Sequence, residues 1–154
     1  MIQRIQSVYL LVSAILMAVI VFIPFGSLIL KSGAVVDFGA LGVTVQTDAT
    51  TVVKVSAWPV LVMVSLSGLV SLLTIFLFKK RMLQIRLCAF NLIVSLGCIA
   101  LMFIYLHQAG KYFDAKVYYS VMMAFPAVCA ILQWLAMRAI GKDEALIRSI
   151  DRIR

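Results

Sequence analysis

Charged residues are scarce in this sequence. They make up 13% of the chain, whereas hydrophobic residues make up 64%. A water-soluble domain has roughly 25% charged residues, and these cover its surface. The charge present here is too little to coat a soluble particle of 154 residues, so the composition is typical of a membrane protein.

Residue types that carry catalysis or bind metals are also few. The chain has one histidine, His107, and three cysteines that all lie in apolar runs: Cys88, Cys98 and Cys129. The cysteines form neither a C-x-x-C pair nor a metal-binding spacing, and one histidine cannot supply two haem ligands. No P-loop, G-x-S-x-G or H-E-x-x-H motif occurs. We therefore expect no catalytic residue, metal site or cofactor, and we expect the protein not to be an enzyme.

Four long apolar runs lack charged residues at their centres. A membrane span needs roughly 20 apolar residues. Proton-coupled exporters and voltage sensors keep charges inside their spans because their mechanism moves charge, so the sequence fits those classes poorly. We predict spans at about residues 7–30, 58–78, 86–107 and 118–140.

The first apolar run has one rival interpretation, a secretory signal peptide, because Arg4 precedes an apolar core. No small-x-small cleavage site follows that core, since Ile23-Pro24-Phe25 stand at the relevant place. We interpret the run as a retained span that Pro24 bends or ends near its far side.

A cluster of cations between the second and third runs sets the predicted topology: Lys79, Lys80, Arg81 and Arg86. Positive residues accumulate in cytoplasmic loops, so this turn should be cytoplasmic. Four spans then place ten of the 14 Lys and Arg residues inside and four outside (Lys31, Lys54, Lys111 and Lys116), with both termini cytoplasmic. The net charge of +8 lies at the ends of apolar runs, which favours membrane lipids over nucleic acid as the partner.

The outer loop at about residues 31–57 differs from the apolar runs. Short β-branched stretches alternate there with Gly33, Gly39, Gly42, Asp37 and Asp48, a pattern typical of strands and turns. The predicted fold is therefore an all-α membrane protein. It is a single domain over residues 1–154, a bundle of four transmembrane helices with a small extracytoplasmic β-ribbon in the first outer loop.

Small and polar residues recur at helical spacing on the two middle spans. We predict that they form a helix-packing seam, because small residues let helices approach closely in lipid and Asn91 needs a hydrogen-bonding neighbour there. The alternatives are a hydroxyl-lined conduit on the second span and a polar group in a small cavity on the third. The predicted helix-packing residues are Ser67, Gly68, Ser71, Thr74, Asn91 and Ser95.

The tail, residues 141–154, is predicted to be a short amphipathic helix on the cytoplasmic side. Gly141 permits a break after the fourth span, and Asp143 can cap a new helix. Apolar residues then repeat at helical spacing against basic ones, so the tail can lie among headgroups or dock on a cytoplasmic partner. Of these two, we predict that the polar face of the tail contacts a partner protein. The residues predicted to make this interaction are Leu146, Arg148, Ile150, Asp151, Arg152 and Ile153.

The two ends of the chain carry a family resemblance. The opening Met1-Ile2-Gln3-Arg4-Ile5-Gln6-Ser7-Val8-Tyr9-Leu10 and the closing run from Asp143 to Arg154 resemble a family of small four-span inner-membrane proteins of Bacteroidota, domain of unknown function family 4293. The resemblance covers essentially the whole chain. It implies a location in a Gram-negative inner membrane and supplies no activity.

Three functions agree with these features. The first is a non-enzymatic scaffold or accessory subunit of an inner-membrane complex. Its expected partner is another inner-membrane protein or further copies of this chain in a homo-oligomer. The second is a small oligomeric transporter or channel that uses the polar faces of the middle spans. The third is a lipid- or quinone-binding subunit of a membrane enzyme.

Overall fold

The computed structural model describes residues 5–31, 33–48, 51–77 and 80–151. Its long helices are α1 (Ile5–Phe22), α2 (Trp58–Phe76), α3 (Arg81–Tyr112) and α4 (Phe125–Asp151). Among the described residues, four helices are long and apolar enough to cross a membrane. This confirms the predicted fold class, a mostly helical membrane protein.

The four helices form a closed ring. Helices α1 and α3 each pack against both α2 and α4. We call the end of the bundle where α2 is followed by α3 the turn end, and the opposite end, which carries the β-strands, the sheet end. Of the cations predicted to set topology, Lys80 precedes α3, Arg81 begins it and Arg86 lies inside it, whereas Lys79 lies outside the described residues.

The first span is shorter than predicted. Helix α1 ends at Phe22, and Gly26–Ile29 form strand β1, whereas the prediction extended the span to residue 30. Pro24 explains the difference, because proline donates no backbone hydrogen bond and disfavours helical backbone at the residue before it.

A three-stranded sheet joins the segment after α1 to the segment before α4, which the prediction missed. Strand β1 lies between β2 (Val35–Phe38) and β5 (Lys116–Tyr119), and both pairings are antiparallel. The exposed ion pair of Lys31 with Asp114 also joins the two loops. The remaining strands, β3 (Val43–Asp48) and β4 (Thr51–Val55), form the hairpin that the first loop was predicted to contain.

The buried apolar residues form one cluster towards each end of the bundle. At the sheet end, Phe25 and Phe38 meet edge to face with ring centroids 5.5 Å apart, and both are fully buried. They pack with Met17, Ile20, Leu28, Met102 and Leu106. The cluster nearer the turn end consists of Leu10, Cys88, Ala136 and Ile140.

Strand β5 approaches α3 very closely at Gly110. A Cβ atom at this glycine would lie 2.3 Å from Cγ2 of Val117. The Gly110 carbonyl also accepts a hydrogen bond from the Ala115 amide at 2.9 Å, which closes the turn into the strand. Gly110 therefore permits the sheet to rest against the end of α3.

We expect Gly110→Ala to destabilise the protein by roughly 1–3 kcal/mol, the usual cost of overpacking, because its methyl group would overlap Val117. Unfolding in mixed micelles of dodecyl maltoside and SDS, followed by circular dichroism, measures this. Val117→Ala makes room, so the double variant should be more stable than Gly110→Ala alone. A double variant no more stable than Gly110→Ala alone would contradict this packing.

The third and fourth spans also differ from their predicted limits. Helix α3 covers 32 residues, against a prediction of 86–107, and its extra turns lie at both ends. A short 3-10 helix (Val121–Ala124) precedes α4, which then runs without interruption for 27 residues, about 40 Å. The predicted break at Gly141 is therefore wrong, whereas the predicted C-terminal helix is present, as a continuation of α4 as far as Asp151.

Contacts at the turn end explain why α4 continues through Gly141. Two residues later, Gln6 of α1 donates a hydrogen bond to the Asp143 carboxylate at 2.5 Å, and Arg81 of α3 donates one to the Asp143 carbonyl at 3.3 Å. A helical glycine costs roughly 1 kcal/mol relative to alanine. Two tertiary hydrogen bonds just beyond it can offset that cost, so Asp143 ties α4 to two neighbouring helices instead of capping a new one.

Candidate functional site

A layer of buried polar side chains lies between the two apolar clusters. Every helix of the ring contributes to it, and each member is at most 1% exposed. We call this set the polar layer, and it consists of Ser13, Ser67, Ser71, Asn91, Ser95 and Gln133. A polar side chain facing lipid is expensive, so the sequence places these residues where neighbouring helices supply hydrogen-bond partners.

Asn91 is the centre of the contact between α2 and α3. Its Nδ2 donates to the Ser67 carbonyl at 3.1 Å and to the Ser71 hydroxyl at 2.8 Å. On the next turn of α3, the Ser95 hydroxyl donates to the Asn91 carbonyl at 2.9 Å and lies 3.4 Å from the Ser67 hydroxyl. These contacts join the two middle helices through short side chains.

Gln133 of α4 connects the other side of the ring. Its Nε2 lies 3.3 Å from the hydroxyl oxygens of both Ser13 and Ser95. The Ser13 hydroxyl in turn lies 3.5 Å from that of Ser71. One amide therefore links α4 to α1 and α3, and Ser13 extends the network to α2.

Two of the predicted packing residues lie outside the polar layer. Thr74, one turn from Ser71, is buried, donates to the Val70 carbonyl at 2.6 Å and accepts at its own carbonyl from Gln84 Nε2 at 2.8 Å. Gly68 lies against α1, where a Cβ atom would be 3.6 Å from that of Met17, an ordinary contact distance. The other four predicted packing residues, Ser67, Ser71, Asn91 and Ser95, belong to the polar layer.

One acceptor in the polar layer has no partner among the described residues. Asn91 Oδ1 is buried without a hydrogen bond, although Asn91 Nδ2 makes two. An unsatisfied buried polar atom costs about 1–3 kcal/mol. Exchanging the amide oxygen and nitrogen would place the oxygen against the Ser67 carbonyl, which only accepts, and against the Ser71 hydroxyl, whose proton is already donated to that carbonyl. The present orientation is therefore the better one, and Asn91 Oδ1 is left without a donor among the described residues.

Sequence reasoning missed Ser13 and Gln133 as members of this network. Neither residue belongs to a periodic set of polar residues on its own span. A lone glutamine in a long apolar run is the signal that could have identified Gln133, because its amide has few places to lie in lipid.

A groove of about 810 Å³ opens at the turn end between α1 and α4. Arg138 and Lys142 line it one turn apart on α4, together with Asp143. The Arg138 guanidinium lies over the Trp134 ring, 4.7 Å from the ring centre. The Arg138 side chain therefore extends along α4 towards its N-terminal end. The groove therefore combines two cations with an apolar wall.

The tail residues fall at the end of α4. The helix includes the backbone of Leu146, Arg148, Ile150 and Asp151, whereas Arg152 and Ile153 lie outside the described residues. We call Glu144–Asp151, the eight residues beyond the Asp143 hydrogen bonds, the arm. At 1.5 Å per residue the arm extends α4 by about 12 Å.

Within the described part of the chain, no three His, Cys, Asp or Glu side chains are grouped to hold a metal ion. His107 lies near the sheet end, stacked with Phe103 at a centroid distance of 6.4 Å. The expectations of no cofactor and no catalytic residue stay predictions.

Comparison with protein families gives a match over residues 2–153 to the domain of unknown function DUF4293. The chain belongs to that family. This confirms the resemblance noted at the two ends of the sequence. Neither the curated proteins nor the solved structures give a match to this DUF4293 chain.

Proposed function

We propose that this DUF4293 protein is a non-enzymatic accessory subunit of a membrane complex and that the arm of α4 docks on a partner protein. The supporting observation is the continuity of α4 through Gly141. An interfacial helix lies in the plane of the membrane, which requires a break from the span before it. An arm that continues α4 shares the direction of the span, so it points away from the bundle.

The chemistry of the arm suits a protein groove. Leu146 and Ile150 lie one helical turn apart, and Arg148 falls between them on another face of the helix. Helices of this pattern bind by laying an apolar stripe into a groove. The expected partner surface is therefore an apolar groove with an acidic rim, on another inner-membrane protein or on a second copy of this chain.

The proposed setting is the inner membrane of a member of Bacteroidota, with both termini cytoplasmic. Four of the described cations lie at the turn end: Lys80, Arg81, Arg138 and Lys142. Accumulation of positive charge favours a cytoplasmic position for that end.

A periplasm-active reporter should then work when fused at Gln46 or Tyr112. It should fail when fused at Arg81 or after Arg154.

The test uses two variants that add the same charge at the same spacing. Leu146→Asp with Ile150→Asp places two carboxylates on the apolar stripe. Ala145→Asp with Ser149→Asp places two beside it, so both variants weaken attraction to anionic lipid equally. We expect tagged wild-type protein, extracted in mild detergent, to purify with a stoichiometric partner or as a defined homo-oligomer.

In the stripe variant (Leu146→Asp with Ile150→Asp), the ratio of co-purified partner to tagged chain should fall by at least roughly tenfold, equivalent to about 1.4 kcal/mol. In the control variant (Ala145→Asp with Ser149→Asp), that ratio should stay at the wild-type value. Quantitative mass spectrometry of the purified material measures the ratio. A wild-type chain that purifies as a monomer, or a partner retained by the stripe variant, would contradict the proposal.

One observation favours a second candidate, a small oligomeric transporter or channel. The unpartnered Asn91 Oδ1 in the polar layer could accept a hydrogen bond from a passing solute or water. Flux of water or small polar solutes into vesicles that contain the purified protein would support it. Flux equal to that of protein-free vesicles would contradict the transporter or channel candidate.

A further inference from the structure

The groove between α1 and α4 is large enough to hold a small molecule. Its walls come from the first turns of α1 and from the part of α4 between Leu135 and Asp143. Its volume of about 810 Å³ is comparable to small-molecule sites, which occupy roughly 300–1,000 Å³. It is an open groove at the turn end of the bundle.

The polar side of the groove is cationic. Arg138 and Lys142 are at positions i and i+4 of α4, and both are exposed. Asp143 is the acidic member of the lining, and its carboxylate oxygen Oδ2 already accepts a hydrogen bond from Gln6. The lining therefore carries two positive charges and one negative charge, and it favours an anion.

The other side of the groove is apolar. Ile5 is 56% exposed, and Leu135 and Ala139 are half-buried beside it. Trp134, which lies against the Arg138 guanidinium, is 43% exposed. A ligand that fits must therefore carry an anionic group joined to a long apolar chain.

We infer that this groove binds one anionic phospholipid. The headgroup phosphate contacts the two cations that line the groove, Arg138 and Lys142, and an acyl chain follows Ile5 and Leu135. A guanidinium and an ammonium together can surround a phosphate with charge-assisted hydrogen bonds. The site is part of the bundle, so this inference does not depend on the arm or on a partner protein.

Trp134 makes the site measurable. The chain has two tryptophans, so Trp58→Phe leaves Trp134 as the only reporter. This variant is placed in phosphatidylcholine vesicles that contain a minor fraction of a lipid brominated on its acyl chains. Bromine quenches tryptophan fluorescence on contact, and phosphatidylglycerol is compared with phosphatidylcholine as the brominated lipid.

We expect brominated phosphatidylglycerol to be enriched at Trp134 by roughly 5- to 30-fold over brominated phosphatidylcholine. That range corresponds to about 1–2 kcal/mol, and its upper end is the sum of about 1 kcal/mol from each of the two cations. Arg138→Gln with Lys142→Gln should remove the preference. Lys111→Gln with Lys116→Gln removes two cations at the sheet end and should retain it.

Three results would overturn the inference. Equal quenching by the two lipids would show that the groove does not select an anion. A preference that survives Arg138→Gln with Lys142→Gln would place the selected lipid elsewhere. Loss of the preference on addition of inorganic phosphate, with sodium chloride at equal ionic strength as the control, would assign the cations to free phosphate. Unchanged unfolding of each variant in mixed micelles is required for all comparisons.

Discussion

Asn91→Asp should be strongly destabilising, by about 3 kcal/mol, the cost of a charged side chain at the centre of a membrane helix. The substitution keeps the shape of the side chain and replaces the Nδ2 donor with an oxygen. That oxygen would face the Ser67 carbonyl at 3.1 Å and the Ser71 hydroxyl at 2.8 Å, and the Ser71 hydroxyl already donates its proton to the Ser67 carbonyl. Unfolding with SDS in mixed micelles, followed by circular dichroism, measures the loss.

Asn91→Ala is the matched control. It removes the same two hydrogen bonds without adding a charge, and such bonds between membrane helices contribute roughly 0.6 kcal/mol each. We therefore expect a smaller loss than for Asn91→Asp. The loss for Asn91→Asp should also shrink at acid pH, where the carboxyl is neutral and can donate one hydrogen bond. Equal stability of Asn91→Asp and wild type would show that this face lies outside the bundle.

Gly141→Pro should also have a large effect, about 3 kcal/mol in the free energy of unfolding. Proline in a helix interior removes one backbone hydrogen bond and its ring clashes with the carbonyl four residues earlier, here that of Met137. Because Gly141 lies inside α4, this change should also misdirect the arm and reduce recovery of a partner protein.

Gly141→Ala provides the control at the same position. A Cβ atom there meets no other atom within 4 Å, so alanine should be accommodated and should stabilise the helix by up to about 1 kcal/mol. Partner recovery should be unchanged. A proline variant as stable as the alanine variant would mean that α4 is already interrupted at this position.

Much of the helix packing could be predicted from sequence because polar residues in apolar helices have few stable positions. Ser67 and Ser71 lie one helical turn apart on α2, as Asn91 and Ser95 do on α3, and the structure buries all four. Gln133 has no periodic partner on α4, so the pattern gave no reason to connect it with Ser13, which lies 120 residues away. Hydrogen bonds between distant segments depend on how the helices are arranged in the ring.

The parts predicted wrongly depend on similarly distant contacts. Strand β5 is four residues long, and its tyrosines are equally typical of a membrane interface. Its strand structure follows from pairing with β1, which the local sequence does not reveal. The break expected at Gly141 followed local propensity alone, and the hydrogen bonds of Asp143 to α1 and α3 favour continuation instead.

The continuity of α4 into the arm is the central claim, and a spin-label distance tests it most directly. Labels at positions 128 and 148, in a chain whose three cysteines are replaced by alanine, are separated by 20 residues. A continuous helix predicts one narrow distribution centred at about 30 Å between the two backbone positions. A broad distribution of label distances would contradict a rigid arm. So would a maximum well below that distance that equals the maximum measured for the Gly141→Pro variant.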